Sequence, residues 1–238
     1  FIYENLAIQV NVIDSAFQNK VKKLLFLGSS CAYPKMCPQP MKEEYLLTGR
    51  LEPTSEAYAI AKIAGIKMCQ AYNTQYGTTF ISVIPANTYG VNDNFDLKDS
   101  HVLPALIRKF HEAKISGSKR VTIWGSGKPK REFLYVDDFA DACIFLMKAC
   151  DNGEVVNVGS GKYISVKKLV LMIKDVIGFK GEIIYDETKP DGMPRKLLDI
   201  TKTNSLGWKA KIDLESGLRY TYEYFITSNT KIKNTNNE

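Results

Sequence analysis

A tyrosine and a lysine four residues apart, in Ser55-Glu-Ala-Tyr58-Ala-Ile-Ala-Lys62, put a phenol beside an ammonium if the run is helical, because residues at i and i+4 share one face. Such a pair can hand a proton to a carbonyl oxygen. A free tyrosine has a pKa of ~10, so use near neutrality needs a drop of about three units, or roughly 4 kcal/mol. A unit charge at about 4 Å across an effective dielectric of ~20 supplies about 4 kcal/mol. The spacing alone also fits a solvated Tyr and Lys with no mutual role. Upstream, Lys23-Leu-Leu-Phe-Leu-Gly28-Ser29-Ser30-Cys31 reads as a buried parallel strand ending in a tight turn. Ligands of open α/β sheets bind at the carboxyl ends of such strands, which places Ser29 or Ser30 at a crevice.

The elements that must position these groups follow from local pattern. An Ala- and Ile-rich run with few breakers predicts a helix from about Ala57 to Tyr76, stopped at Gly77. Phe1 to Asn19 predicts another, with Leu6, Val10, Ile13 and Phe17 on its buried face. A Pro-rich loop covers 34–53, and loops of that length are more often functional than idle. Thr79 to Asn87 is a second buried strand, and the alternation of helix and strand predicts a parallel sheet with crossover helices. Further elements are a helix from Val102 to Ile115, a strand Val121–Trp124, a helix from Val136, a strand Val155–Gly159, and a helix capped by Ser165 and ending at Gly178. The Gly125-Ser-Gly127 and Gly159-Ser-Gly161 runs read as turns, and residues 228–238 as a frayed tail.

With 45% hydrophobic and 24% charged residues over 238 positions, the composition is that of a globular protein with one large core or two modest ones, and it excludes a disordered or fibrous chain. No apolar run approaches the ~18 residues of a membrane span, and no basic-then-apolar leader opens the chain. A soluble, cytoplasmic protein with no membrane partner is expected. The five cysteines (Cys31, Cys37, Cys69, Cys143, Cys150) are odd in number and form no CxxC, so no disulfide framework is expected. Two histidines and no cluster at ligand spacing give no reason to expect a metal. The net charge of +6 comes from lysines spread along the chain, which argues against nucleic acid and for a solvated surface that helps attract an anionic diphosphate.

Ser, Tyr and Lys in this order resemble the catalytic set of the extended, nucleotide-sugar-modifying short-chain dehydrogenase/reductases. The segments Phe26-Leu-Gly-Ser-Ser-Cys-x-Tyr-Pro-Lys35, Gln39-Pro-Met-Lys-Glu-Glu44, Leu51-Glu-Pro-Thr54, Asn92-Asp-Asn-Phe95, Ser100-His-Val-x-Pro-Ala-Leu106, Phe110-His-Glu-Ala-Lys114, Arg131-Glu-Phe-Leu-x-Val-Asp-Asp138 and Lys189-Pro-Asp-Gly-x-Pro-Arg-Lys-Leu-Leu-Asp199 extend that resemblance to the GDP-L-fucose synthase family over residues 1 to about 225. Members convert GDP-4-keto-6-deoxy-mannose by epimerisation and reduction.

The resemblance implies an α/β fold with a Rossmann-like doubly wound parallel sheet and a smaller C-terminal α/β substrate domain. Residues 1–90 with 132–160 would belong to the NADP-binding domain, 91–131 and 161–227 to the substrate domain, and 228–238 to a tail. It implies NADP(H) as cofactor, a GDP-sugar as substrate, and a homodimer formed through the 1–19 and 57–76 helices, with Ile63, Ile66 and Tyr72 facing a partner. Tyr58 would protonate the sugar oxygen, Lys62 would hold the nicotinamide ribose and lower the phenol's pKa, and Ser29, preferred to Ser30, would bond the carbonyl. Cys31 and His101 would exchange protons beside the ketone. Leu27, Gly28, Ser29, Ser30, Tyr58, Lys62, Pro85, Ala86, Asn87, Thr88 and His101 would line the cofactor. Asn87, Lys109, Trp124, Arg131 and Asp191 would bind substrate, with Lys109 standing where relatives often carry Arg. The family's Glu-Pro-Tyr is Glu56-Ala57-Tyr58 here.

The Gly-rich pyrophosphate fingerprint is missing from the sequence, and the chain starts at Phe1 rather than Met. A fragment lacking roughly 60–80 residues, about two βαβ units, is therefore expected, with very weak NADP(H) binding, no reductase activity alone and the 2′-phosphate site upstream.

Overall fold

The computed structural model describes the backbone of residues 1–97 and 99–235, and side chains as far as Ser228. In chain order the elements are α1 (Ile2–Gln18), β1 (Lys23–Leu27), α2 (Glu56–Tyr76), β2 (Thr79–Pro85), β3 (Asn87–Tyr89), α3 (Val102–Ile115), β4 (Arg120–Trp124), β5 (Lys130–Tyr135), α4 (Val136–Ala149), β6 (Val155–Val158), β7 (Tyr163–Ser165), α5 (Val166–Ile177), β8 (Glu182–Asp186), α6 (Thr201–Ser205) and α7 (Leu214–Thr235). They divide into two compact units. One comprises Phe1–Asn87, Asp138–Lys162 and Lys196–Ala210; the other comprises Thr88–Asp137, Tyr163–Arg195 and Lys211–Glu238.

The first unit is built on a parallel sheet ordered β1-β2-β6. Lys23 to Leu27 pairs in register with Thr79 to Val83, and Ser82 to Pro85 with Val155 to Val158. Parallel strands are covered on both faces, which is why Phe80, Ile81, Val83 and Ile84 form an unbroken buried run. The crossover between β1 and β2 is α2. It ends at Gly77, whose φ of 67° is a left-handed cap that a side chain would strain. Gly65 lets α2 approach β1, because a Cβ there would overlap the Phe26 ring.

The α1 face differs from the predicted one. Ile13 is buried and Gln9 is buried with it, donating from Nε2 to the Ala61 carbonyl at 2.6 Å, while Val10 turns outward. One hydrogen bond to α2 therefore rotates the helix away from the purely apolar solution. Ile66 is also buried, and Tyr72 donates to Asp14 at 2.8 Å with its ring edge-on to Phe17. Both find partners inside the unit, so the expected role of Ile66 and Tyr72 as faces left for a second copy is corrected.

In the second unit β4 pairs with β8 in parallel and β5 with β7 antiparallel. Leu103, Ile107 and Phe110 of α3 pack with Leu169, Val170 and Ile173 of α5, and Phe110 meets Phe179 edge-on at 5.5 Å. Ser165 caps α5, accepting from Lys168 N at 3.2 Å. The expected tail lies on α7 as far as Thr235, a run without Gly or Pro after Gly217, and 236–238 lie outside the described residues. Among the described residues no helix is long and apolar enough to cross a membrane.

Candidate active site

At the carboxyl end of β1 the chain turns through a short 3-10 segment, Ser30–Ala32. Ser29 precedes it with its hydroxyl accepting from Cys31 N at 3.2 Å, and the same hydroxyl hydrogen-bonds the Tyr58 phenol. Ser30 is buried beside it, so Ser29 is the serine that reaches Tyr58. Tyr58 and Lys62 lie one turn apart on α2, with Lys62 Nζ 5.7 Å from the Tyr58 ring centroid and 5.3 Å from that of Phe26. The ammonium donates to the Leu27 carbonyl at 2.9 Å.

These positions alter the expected electrostatics. Burial pushes the Tyr58 phenol above its ordinary range and Cys31 adds to the rise, while the Ser29 hydrogen bond works against both. Burial outweighs whatever lowers the phenol, and the pKa of Lys62 is itself lowered by burial. Tyr58 is thus held as a neutral phenol.

Behind this turn stand groups that spacing did not suggest. Asn157, fully buried on β6, accepts from the Tyr33 hydroxyl at 2.7 Å and donates to the carbonyls of Met41 at 2.9 Å and Asp199 at 3.1 Å. Lys196 reaches Cys31, Nζ to Sγ 3.6 Å. The only signal of Asn157 in the sequence is one amide inside the apolar run Val155-Val-Asn-Val158. Nothing local announces Lys196. Pro85 closes β2, and Ala86 is buried with its N–H donating to Val158 at 2.8 Å; Asn87 and Thr88 follow, half-buried.

The second unit carries the remaining candidates. His101 stands exposed at the N-cap of α3 and lowers the pKa of Asp93, a carboxyl that burial raises overall. Asp93 is a neighbour of His101 that spacing did not single out. Asp191 accepts from Ser126 N at 2.9 Å and Ser126 Oγ at 2.6 Å, and these bonds hold its carboxyl below the usual carboxylate range. The turn at Gly125-Ser-Gly127 is therefore the anchor of Asp191. Arg131 donates to the carbonyls of Met193 at 2.6 Å and Lys130 at 2.8 Å, and it feels the attraction of Asp191. Trp124 is 71% exposed with the Lys189 ammonium 5.7 Å over its ring. Lys109 donates to the Thr122 carbonyl at 2.6 Å, and burial lowers its pKa. An aromatic plate, two cations and a fixed carboxylate in one unit suit a base, a sugar and a diphosphate.

Comparison with known proteins shows the family. The family model described as NAD dependent epimerase/dehydratase matches residues 1–159. The chain is 57% identical over 226 residues to GDP-L-fucose synthase 1 of Arabidopsis thaliana, covering 95% of this chain and 70% of that protein. It is 50% identical over 242 residues to the GDP-L-fucose synthase of Escherichia coli (strain K12), covering 98% and 75%. A GDP-L-fucose synthetase from Naegleria fowleri, solved bound to NADP, superposes with a TM-score of 0.91 at 28% identity, covering 97% of this chain and 76% of that one. The chain belongs to the NAD dependent epimerase/dehydratase family, within its GDP-L-fucose synthase branch.

Proposed function

We propose that the protein converts GDP-4-keto-6-deoxy-D-mannose to GDP-L-fucose, by 3,5-epimerisation followed by reduction of the 4-keto group with NADPH. The observation that carries this reading is the meeting of Ser29, Tyr58 and Lys62 at the end of a parallel strand, with the Cys31 thiol on the same turn. Two hydroxyls and an ammonium are the donor set that a nicotinamide ribose and carboxamide require, so these residues fit that end of NADP(H). Lys62 would hold the ribose, with Leu27 to Ser30 and Pro85 to Thr88 beside it. When bound, NADPH supplies the hydride for the keto carbon.

Ser29 donates to the ketone oxygen, and Tyr58 delivers its phenolic proton to that oxygen as charge develops there. A phenol kept neutral by burial is in the right form for this. Before reduction, Cys31 and His101 exchange protons at the carbons beside the ketone, whose acidity the carbonyl provides. Trp124, Arg131, Lys109, Asn87 and Asp191 hold the GDP-sugar. In this reading the first unit serves the cofactor and the second the substrate.

Two copies pair through α1 and α2, on which Val10, Val12 and Ile60 stand exposed. Five free thiols suit a reducing, cytoplasmic setting.

The test, made in the full-length context that carries the pyrophosphate segment, follows NADPH absorbance with GDP-4-keto-6-deoxy-D-mannose, alongside deuterium uptake at C3 and C5 in heavy water. Cys31→Ser is expected to slow uptake more than hydride transfer to an already epimerised intermediate. Equal slowing of both steps would show that Cys31 only shapes the pocket.

A further inference from the structure

We propose that Lys196 is the positioning residue for Cys31, its ammonium donating to the sulfur and orienting it toward the proton that it accepts. The proposal deepens the reading of Cys31 given above and rests on it. A thiol removes a proton from carbon only after losing its own, and then the C–H bond breaks, the S–H bond forms and the electron pair moves onto the ketone oxygen as an enolate. An ammonium has no lone pair, so as a donor to the sulfur it orients that atom without competing for the sugar proton. Lys196 Nζ lies 3.6 Å from Cys31 Sγ, within hydrogen-bond reach of sulfur. A second titratable group that interacts with the sulfur is Tyr58, on α2, whose phenol burial pushes up.

The meeting is not a chance contact of a loose side chain, because both residues are fixed to one frame. On the Lys196 side, Leu197 donates to Gln39 Oε1 at 2.9 Å, its carbonyl accepts from Met41 N at 2.8 Å, and Asp199 N donates to the Met41 carbonyl at 2.8 Å. On the Cys31 side, Tyr33 donates to Asn157 at 2.7 Å. The Asn157 amide also donates to Met41 and Asp199, so one buried side chain ties the Cys31 turn to the Lys196 segment. Residues 165 apart in sequence are thereby held in register. A lysine with a merely solvated head would not need that frame.

The test is alkylation of the intact chain, with peptide mass analysis locating the label at Cys31. Cys37, Cys69 and Cys150 are buried, which leaves Cys31 and Cys143 as the accessible thiols. Iodoacetate carries a negative charge and iodoacetamide does not, so an ammonium beside the sulfur favours the first reagent. Lys196→Met is expected to slow labelling of Cys31 about tenfold, the scale of a hydrogen bond to a charged group, and to remove the preference for the anion. Lys196→Arg is expected to keep both. Parent-like labelling of Lys196→Met, or a loss in Lys196→Arg as large as in Lys196→Met, would overturn the pairing. If Lys196→Met melts below the assay temperature, the parent decides alone: a reagent ratio at Cys31 equal to that of a free thiol ends the proposal. Neither cofactor nor sugar is present in these measurements. Unimpaired deuterium uptake in Cys31→Ser would therefore remove Cys31 from the chemistry while the alkylation result still reported the pairing.

Discussion

Around Tyr58 the functional groups are carried by the end of β1 and one face of α2, whereas in the second unit Lys109, Trp124 and Arg131 stand on a helix and two strands and Asp191 on irregular chain, their polar groups held by backbone carbonyls and a serine or laid against a ring. Tyr58 and Lys62 are spaced by one helical turn, and Ser29 stands where β1 stops. Arg131 instead depends on the Met193 carbonyl, Lys109 on Thr122, and Asp191 on Ser126. A site on regular elements is rigid because the helix and sheet ladders hold it. A group on irregular chain, as Asp191 is, is fixed only as far as its own hydrogen bonds fix it, so those bonds serve geometry and recognition at once.

The largest effect should therefore come from removing chemistry where structure does not depend on it. In the full-length context Tyr58→Phe is expected to lower the reductive rate by about 10²–10⁴, the range of a lost general acid, with the melting midpoint of the parent retained. Retained turnover would break the assignment of Tyr58. Asn157→Ala should do the opposite. It leaves the buried Tyr33 hydroxyl and the half-buried Asp199 carbonyl without this partner, while the Met41 carbonyl keeps only Asp199 N, at about 1–3 kcal/mol for each group left unpaired. Urea unfolding is expected to show a loss of about 3 kcal/mol or more, and a loss under about 1 kcal/mol would mean that the frame relaxes freely. Arg131→Lys lies between these. It removes the planar guanidinium whose Nη1 serves Met193 and Lys130 together and whose remaining N–H groups suit a diphosphate, so KM should rise about tenfold with kcat nearly kept.

The same contrast explains what the sequence made legible. The helix carrying Tyr58 announced itself through alanines, a polar start and Gly77, and β1 through its apolar run, since both rest on local periodicity. Lys196 and Asn157 did not, because their meaning lies in partners more than a hundred residues away. The outward turn of Val10 was hidden for a related reason: a single Gln9 bond to Ala61 outweighs an apolar stripe. The positions in the second unit came only from family resemblance, since no spacing rule joins Trp124, Arg131 and Asp191. The expected lowering of the Tyr58 pKa met an opposing effect that only coordinates reveal, the burial of the phenol, which raises it overall.

The finest comparison uses pH, because the two clusters should limit activity from opposite sides. Tyr58 works as a neutral phenol whose pKa is raised, chiefly by burial, so its donor form persists as pH rises past the ordinary phenol value and is lost only above it. Asp191 works as a carboxylate whose pKa is lowered, chiefly by the Ser126 side chain. Its charged form persists below the ordinary carboxylate range and is lost as pH falls through the lowered value. Ser29→Ala removes the bond that holds the Tyr58 pKa down, so the alkaline limb of kcat should move to still higher pH while the rate falls. Ser126→Ala removes the first cause of the Asp191 shift but leaves the Ser126 N–H and the attraction of Arg131, so the acid limb of kcat/KM should move up only part of the way toward an ordinary carboxylate. Because Asp191 is exposed and screened by water, this is the smallest effect expected. A Ser126→Ala acid limb that stays in place would show that Asp191 does not touch substrate in its charged form.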